Sequence, residues 1–66
     1  MEARTFNFIL PERWAPFLLQ GDAFSVDKQD RSACQEFLAR EGLDRRDCIG
    51  TEDARDFGMA IFVFSL

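Results

Sequence analysis

"MAIFVFS", residues 59–65, decides how this chain folds. Read with the two-residue period of a strand, it sets Ala60, Phe62 and Phe64 on one side and Met59, Ile61 and Val63 on the other. A strand apolar on both faces wants hydrogen-bonded neighbours along both edges and cover above and below. At a sheet edge it would be a template for aggregation. It is therefore predicted to be the central strand, and the rest of the sequence has to supply its neighbours.

Two stretches can do so. "TFNFIL" (5–10) alternates, with Phe6, Phe8 and Leu10 on one side and Thr5, Asn7 and Ile9 on the other, the pattern of a half-buried strand. "DCIGT" (47–51) is a shorter candidate, weakened by Gly50. "EDARDFG" (52–58) reads as a turn or an irregular connection.

Between the first strand and "DCIGT" lie two helical signals. In "LPERWAPFLLQGD" (10–22), Trp14, Phe17 and Leu18 stand at i, i+3 and i+4, one apolar stripe. Pro11 suits a first helical position. Pro16 requires either a loose first turn or a regular helix that begins near Trp14 with Pro16 inside its first turn. Gly21 ends this helix as a left-handed cap and Asp22 opens a loop. The stripe makes Trp14 a core or sheet-facing residue, with an exposed binding anchor as the alternative.

Residues 27–43 carry the clearest helix. Asp27 is a suitable N-cap, and Asp30 at the third position favours the helix dipole. Ala33, Cys34, Phe37 and Leu38 form its apolar stripe. Gly42 stands just past the end, with Leu43 placed to touch Leu38 in a Schellman-type close. The order β-α-α-β-β then gives a single α+β domain over 1–66: a two-layer fold in which a three-stranded, mainly antiparallel sheet packs against two helices.

Composition supports that fold. Sixty-six residues bury only about 60% of the surface their unfolded chain exposes, yet 47% are hydrophobic, with eight Phe and one Trp. Each aromatic removes roughly 150–250 Å² from water, so a metal or disulfide staple is not required. Cys34 and Cys48 read as buried free thiols, a disulfide or a reactive thiol being the alternatives. The N-terminal apolar run is too short for a signal peptide and the uncharged C-terminus is half the length of a membrane span. A soluble, cytoplasmic protein with no membrane contact is the expectation.

Charge is uneven. The formal net charge is −4, and the excess lies within 22–56, where ten acids face six bases. Direct nucleic-acid binding is disfavoured and a basic partner favoured. Asp27 and Asp30 have capping roles, which leaves Asp44, Asp47, Glu52, Asp53 and Asp56 as the candidate partner-binding acids around "DCIGT". Because Arg45, Arg46 and Arg55 are interleaved, an ordinary solvated surface is the competing account.

Catalytic apparatus is hard to find. No histidine exists to act as base or metal ligand. No glycine-rich phosphate loop is present, and the serines lack the neighbours of a nucleophile. "EDARD" groups three carboxylates, but Ala54 and Arg55 break the alternation of a calcium loop. No enzyme, no metal and no cofactor is expected.

"LPERWAPFLLQGD" resembles the N-terminal signature, L-P-x-x-W-A-x-x-L-x-x-G-D, of very short bacterial proteins from phages, plasmids and other mobile elements. Leu10, Pro11, Trp14, Ala15, Leu18, Gly21 and Asp22 match, and "CQEFLAREGL" is similar to that family's second helix. Pro16, "AFSV" and a short, hydrophobic C-terminus depart from it. The family carries no functional residues over. What the resemblance implies is a mobile-element origin, in which small acidic proteins of this kind are similar to anti-CRISPR proteins. The expected function is accordingly a non-enzymatic inhibitor, a monomer or weak dimer. It would bind a basic nucleic-acid-binding protein such as a CRISPR–Cas effector subunit and block its DNA contact, as a DNA mimic in the limiting case. A housekeeping or antitoxin-like module that binds through an apolar surface near Trp14 is the alternative.

Overall fold

The structure, a computed structural model, describes residues 4–66, with the side chains of residues 53–55 outside the description. Its strands are β1 (Thr5–Pro11), β2 (Cys48–Arg55) and β3 (Met59–Ser65). Its helices are α1 (Ala15–Gln20) and α2 (Lys28–Glu41). The sheet order is β1-β3-β2 and both pairings are antiparallel. The last strand is central, as its two apolar faces require.

β1 and β3 pair without a break from Thr5↔Ser65 to Pro11↔Met59. This register puts Phe6, Phe8 and Leu10 on the same face as Phe64, Phe62 and Ala60. That is the helix-covered face: Leu10, Ala60, Phe62 and Phe64 are buried there. β2 is less regular, with register shifts between Cys48 and Gly50 and between Thr51 and Ala54. It also runs longer than its local sequence suggests. Residues 52–55, expected in a turn, continue the strand, because Ala54 and Arg55 pair with Ala60 and Met59. A partner strand of high β-propensity overrides weak local preference.

Pro16 falls inside the first turn of α1, where its missing N–H has no intrahelical partner to lose. A 3₁₀ turn, Glu12–Trp14, leads into the helix. Both helices close on a left-handed glycine: Asp22 N donates to Pro16 O after Gly21, and Leu43 N donates to Leu38 O after Gly42. Gly21 is fixed twice over, by φ +68° and by the Arg45 guanidinium, which lies 2.9 Å from where a Cβ would stand. Any side chain there would displace Arg45 from α1.

The core joins Trp14 and Leu18, Cys34 and Leu38 of α2, and the inner sheet face. Trp14 is 7% exposed, a core residue and not an exposed anchor. Phe37 links the layers: its ring lies 5.1 Å from Phe8, edge to face, and 6.4 Å from both Trp14 and Phe64. Ala33, expected in the α2 stripe, is exposed. The stripe is narrower than its sequence suggests because Cys34, Phe37 and Leu38 already fill the line of contact.

Phe62 is fully buried at the middle of the central strand. Phe62→Ala is expected to lower unfolding free energy by about 3–5 kcal/mol. Phe6→Ala, at the half-open rim of the same face, is expected to cost less than about 2 kcal/mol. Urea denaturation followed by Trp14 fluorescence measures both.

Candidate functional site

The acids of this chain fall into two groups by what their oxygens do. In the first, the fold uses them. Asp44 precedes the 3₁₀ turn Arg45–Asp47 and its Oδ1 accepts from Arg46 N at 3.0 Å. Asp47 Oδ2 accepts in return from Asp44 N at 2.9 Å. This reciprocal cap satisfies backbone donors that the start of a helical turn leaves open. The Arg46 N–H, and then its guanidinium at 3.4 Å, hold the Asp44 carboxyl below its usual range.

Asp22 belongs to the same group. It accepts from Ser25 Oγ at 2.6 Å, Phe24 N at 3.0 Å and Ser25 N at 3.3 Å, closing the loop between the helices. These bonds, the Ser25 hydroxyl foremost, hold its carboxyl low.

Asp30 is the acid whose part sequence reasoning missed. Asp27 occupies the N-cap position of α2 without a side-chain cap hydrogen bond. Asp30, in the first turn, reaches across the fold instead. Arg13 Nε donates to its Oδ2 at 2.8 Å and Trp14 Nε1 to its Oδ1 at 3.3 Å. One carboxylate thereby satisfies the indole N–H of a buried tryptophan and pins α2 to the turn before α1. The Arg13 bond holds the Asp30 carboxyl below its ordinary range against partial desolvation, and the Trp14 bond adds to it. Arg13 and Trp14 stand together in "ERW", but nothing local pairs residues 13 and 14 with 30 rather than with Asp22 or Asp27.

The second group is exposed and makes no side-chain hydrogen bond among the described residues: Glu12, Asp27, Glu36 and Glu41, and, of the candidate partner-binding acids, Glu52 and Asp56. Glu52 stands within β2 and Asp56 just past its end, with Asp53 between them in sequence; the Asp53 side chain lies outside the described residues. The four candidate acids whose side chains are described stand in two places along the chain. Asp44 and Asp47 stand before β2, at the Cys48 end, while Glu52 and Asp56 approach the β2–β3 connection. Five residues of mostly extended chain, on the order of 16 Å, separate Asp47 from Glu52, and Asp56 lies four residues further on.

Between Asp56 and β3 stands the structure's one backbone outlier among the described residues. Phe57 has φ 64° and ψ 30°, followed by Gly58 at φ 68°. Left-handed backbone suits glycine, asparagine or aspartate, and costs a bulky L-residue about 1–2 kcal/mol. The Phe57 side chain is 98% exposed. It gains no burial in exchange for that strain. Phe24, between the helices, is also fully exposed, but its backbone is ordinary and Asp22 holds it in place.

The thiols are free: Cys34 is buried and Cys48 half-buried. Burial pushes the Cys34 thiol up to about 11, so it stays protonated near neutral pH. Among the described residues there is no ligand-sized cavity, no set of three His, Cys, Asp or Glu arranged to hold a metal, and no helix long and apolar enough to cross a membrane. Comparison with known proteins returns no matching family, no curated relative and no similar solved structure.

Two predictions follow from these carboxylates and from the turn. A carboxyl whose folded pKa is depressed contributes stability that is complete above its unfolded value, about 3.9. That stability is lost as pH falls through the lower folded value. Asp30→Asn is expected to destabilise the protein at neutral pH and to flatten the acid limb of its stability profile, read by urea unfolding at successive pH values. Phe57→Gly is expected to raise unfolding free energy by about 1 kcal/mol by releasing left-handed strain, measured by the same method.

Proposed function

We propose that this chain is a small acidic, non-enzymatic inhibitor that binds a basic nucleic-acid-binding protein and blocks its contact with DNA. The observation that carries the reading is the β2–β3 connection. Phe57 is held there in a strained conformation with its ring in solvent, between Asp56 and the start of β3, just past the strand that bears Glu52.

An aromatic that destabilises the free fold and buries nothing within it has its return in a complex. Aromatic side chains filling a pocket at the centre of an interface commonly dominate its energy. Nearby unengaged carboxylates add attraction to lysine and arginine, mainly by speeding encounter and favouring charged partners over neutral ones. Such lysines and arginines are the groups that otherwise hold phosphates. Asp44 and Asp47 take part as structural acids that shape the start of β2, with Arg45 and Arg46 balancing their charge. Inhibition then works by occupying a basic site with the hairpin end, more than by imitating a run of phosphates.

The resemblance to mobile-element proteins makes a CRISPR–Cas effector subunit the first partner to test. Purified effector complexes are titrated with this protein while binding of a fluorescent target duplex is followed. Wild type is expected to suppress DNA binding, less so as salt rises. The double variant Glu52→Lys/Asp56→Lys is expected to weaken suppression at least tenfold while unfolding like wild type. Suppression indifferent to both charge reversal and salt, or no suppression of any effector tested, overturns the reading.

A further inference from the structure

In the order β1-β3-β2, each outer strand has one rim with no strand beside it among the described residues, and the two rims differ. The β2 rim is guarded as edge strands commonly are. Its register shifts twice, and the strand holds Gly50 and the charged residues Glu52, Asp53 and Arg55. β1 has none of these devices. Its pairing runs unbroken from Thr5 to Pro11, and no residue of that span is charged.

Hydrogen-bond phase identifies the unused groups of β1. Arg4 N donates to Leu66 O at 3.1 Å and Leu66 N to Arg4 O at 2.9 Å, a pair that exchanges both bonds. In an antiparallel ladder such pairs alternate with pairs that exchange none. Phe6, Phe8 and Leu10 therefore bond to β3, while Thr5, Asn7 and Ile9 turn N–H and C=O outward. Outside the sheet's own ladder, no backbone hydrogen bond among the described residues reaches these three. Pro11, next in the series, offers a carbonyl but no N–H.

We propose that β1 pairs antiparallel with β1 of a second copy, about a two-fold axis at Phe8, joining two three-stranded sheets into one. This register matches the phase. Asn7 meets Ile9 of the second copy, each giving and taking a bond, and Thr5 N–H meets the Pro11 carbonyl. The missing proline N–H falls at the ends of the ladder, where little is lost. On the helix-covered face, Phe8 meets Phe8, and Phe6, 37% exposed in one copy, packs beside Leu10 of the other. Each chain carries a net charge of −4, so an uncharged strand is where two copies meet at least electrostatic cost.

The helix layer selects a second copy over a lone extended peptide. The Phe37 ring lies 5.1 Å from Phe8, so α2 stands over β1. Ala33, one turn before Phe37 on the same flank, is exposed. It is the member of the apolar stripe that one copy by itself leaves uncovered. A two-fold axis perpendicular to the sheet brings the second α2 alongside the first, and the small Ala33 side chain lets the helices approach. An added peptide strand would cover the sheet edge and leave Ala33 in solvent. Because the β2 rim is irregular and charged, addition stops at two copies.

Sedimentation velocity over a wide concentration range, with amide hydrogen exchange, tests the proposal on the full chain. Wild type is expected to shift reversibly from monomer to dimer, with the Asn7 and Ile9 amides becoming protected as it does. Asn7→Pro removes an N–H that the monomer leaves unbonded, a change edge strands tolerate; it is expected to weaken dimerisation at least tenfold. Ala33→Glu, at an exposed helix position, is expected to do the same. Should Asn7→Pro fail to fold, Ala33→Glu and the exchange pattern decide. Glu52→Lys, on the other edge strand, is expected to leave the equilibrium unchanged, which separates this contact from the inhibitory one. A monomer at every concentration overturns the proposal. So does a dimer indifferent to either variant, one abolished by Glu52→Lys, or one whose Asn7 and Ile9 amides stay unprotected.

Discussion

β3 is apolar on both sides, and everything else in the structure answers to that. Its inner residues, Ala60, Phe62 and Phe64, lie under the helices, and its outer ones are half-buried, with no helix of the described residues over them. Such a strand is stable only between two neighbours, so the first and the third segments with strand character are drawn onto its two edges. The chain must therefore close its ends together: Thr5 pairs with Ser65, and Arg4 exchanges backbone hydrogen bonds with Leu66. The helices, lying between these strands in sequence, have one place left, across the inner face, where Phe37 meets Phe8, Trp14 and Phe64.

That arrangement sorts the carboxylates. Where chain direction changes, at the loop between the helices and at the turn before β2, backbone N–H groups are left over, and Asp22, Asp44 and Asp47 take them up. Where α2 crosses the turn before α1, Asp30 takes up the indole N–H of Trp14. The β2–β3 connection is different. A glycine-bearing loop makes the turn there, and among the described residues Asp56 makes no side-chain hydrogen bond. Phe57 in left-handed backbone adds strain there that nothing inside the molecule offsets. Structural demand on the carboxylates thus falls at the Cys48 end of β2.

Much of this was legible before folding, and the reason is that the legible parts are local. Pro16 within a first turn, Gly42 followed by Leu43, and the alternation of 5–10 and 59–65 each concern residues within a few positions of one another. Residues 52–55 misled because their strand character is conferred by β3 and is absent from "EDAR" itself. Ala33 misled because a helical stripe predicts a direction and not the width of the surface it meets. The five candidate acids were close in sequence, yet an extended strand converts closeness in number into distance in space. Phe57 gave little warning: a phenylalanine before glycine reads as core, and only its dihedral angles and exposure set it apart.

By itself, then, the sequence determined the order β-α-α-β-β, the central place of 59–65, the helix ends and the burial of Trp14. Periodicity, caps and hydrophobicity act over short stretches, so a linear reading captures them. Tertiary structure alone decided that Asp30 serves Trp14 across sixteen positions, that Asp44 and Asp47 part company with Glu52 and Asp56, and that one apolar face of β3 stays open. A carboxylate's role depends on which donor comes within about 3 Å, and a face's exposure on which side the helices choose; neither is written into neighbouring residues.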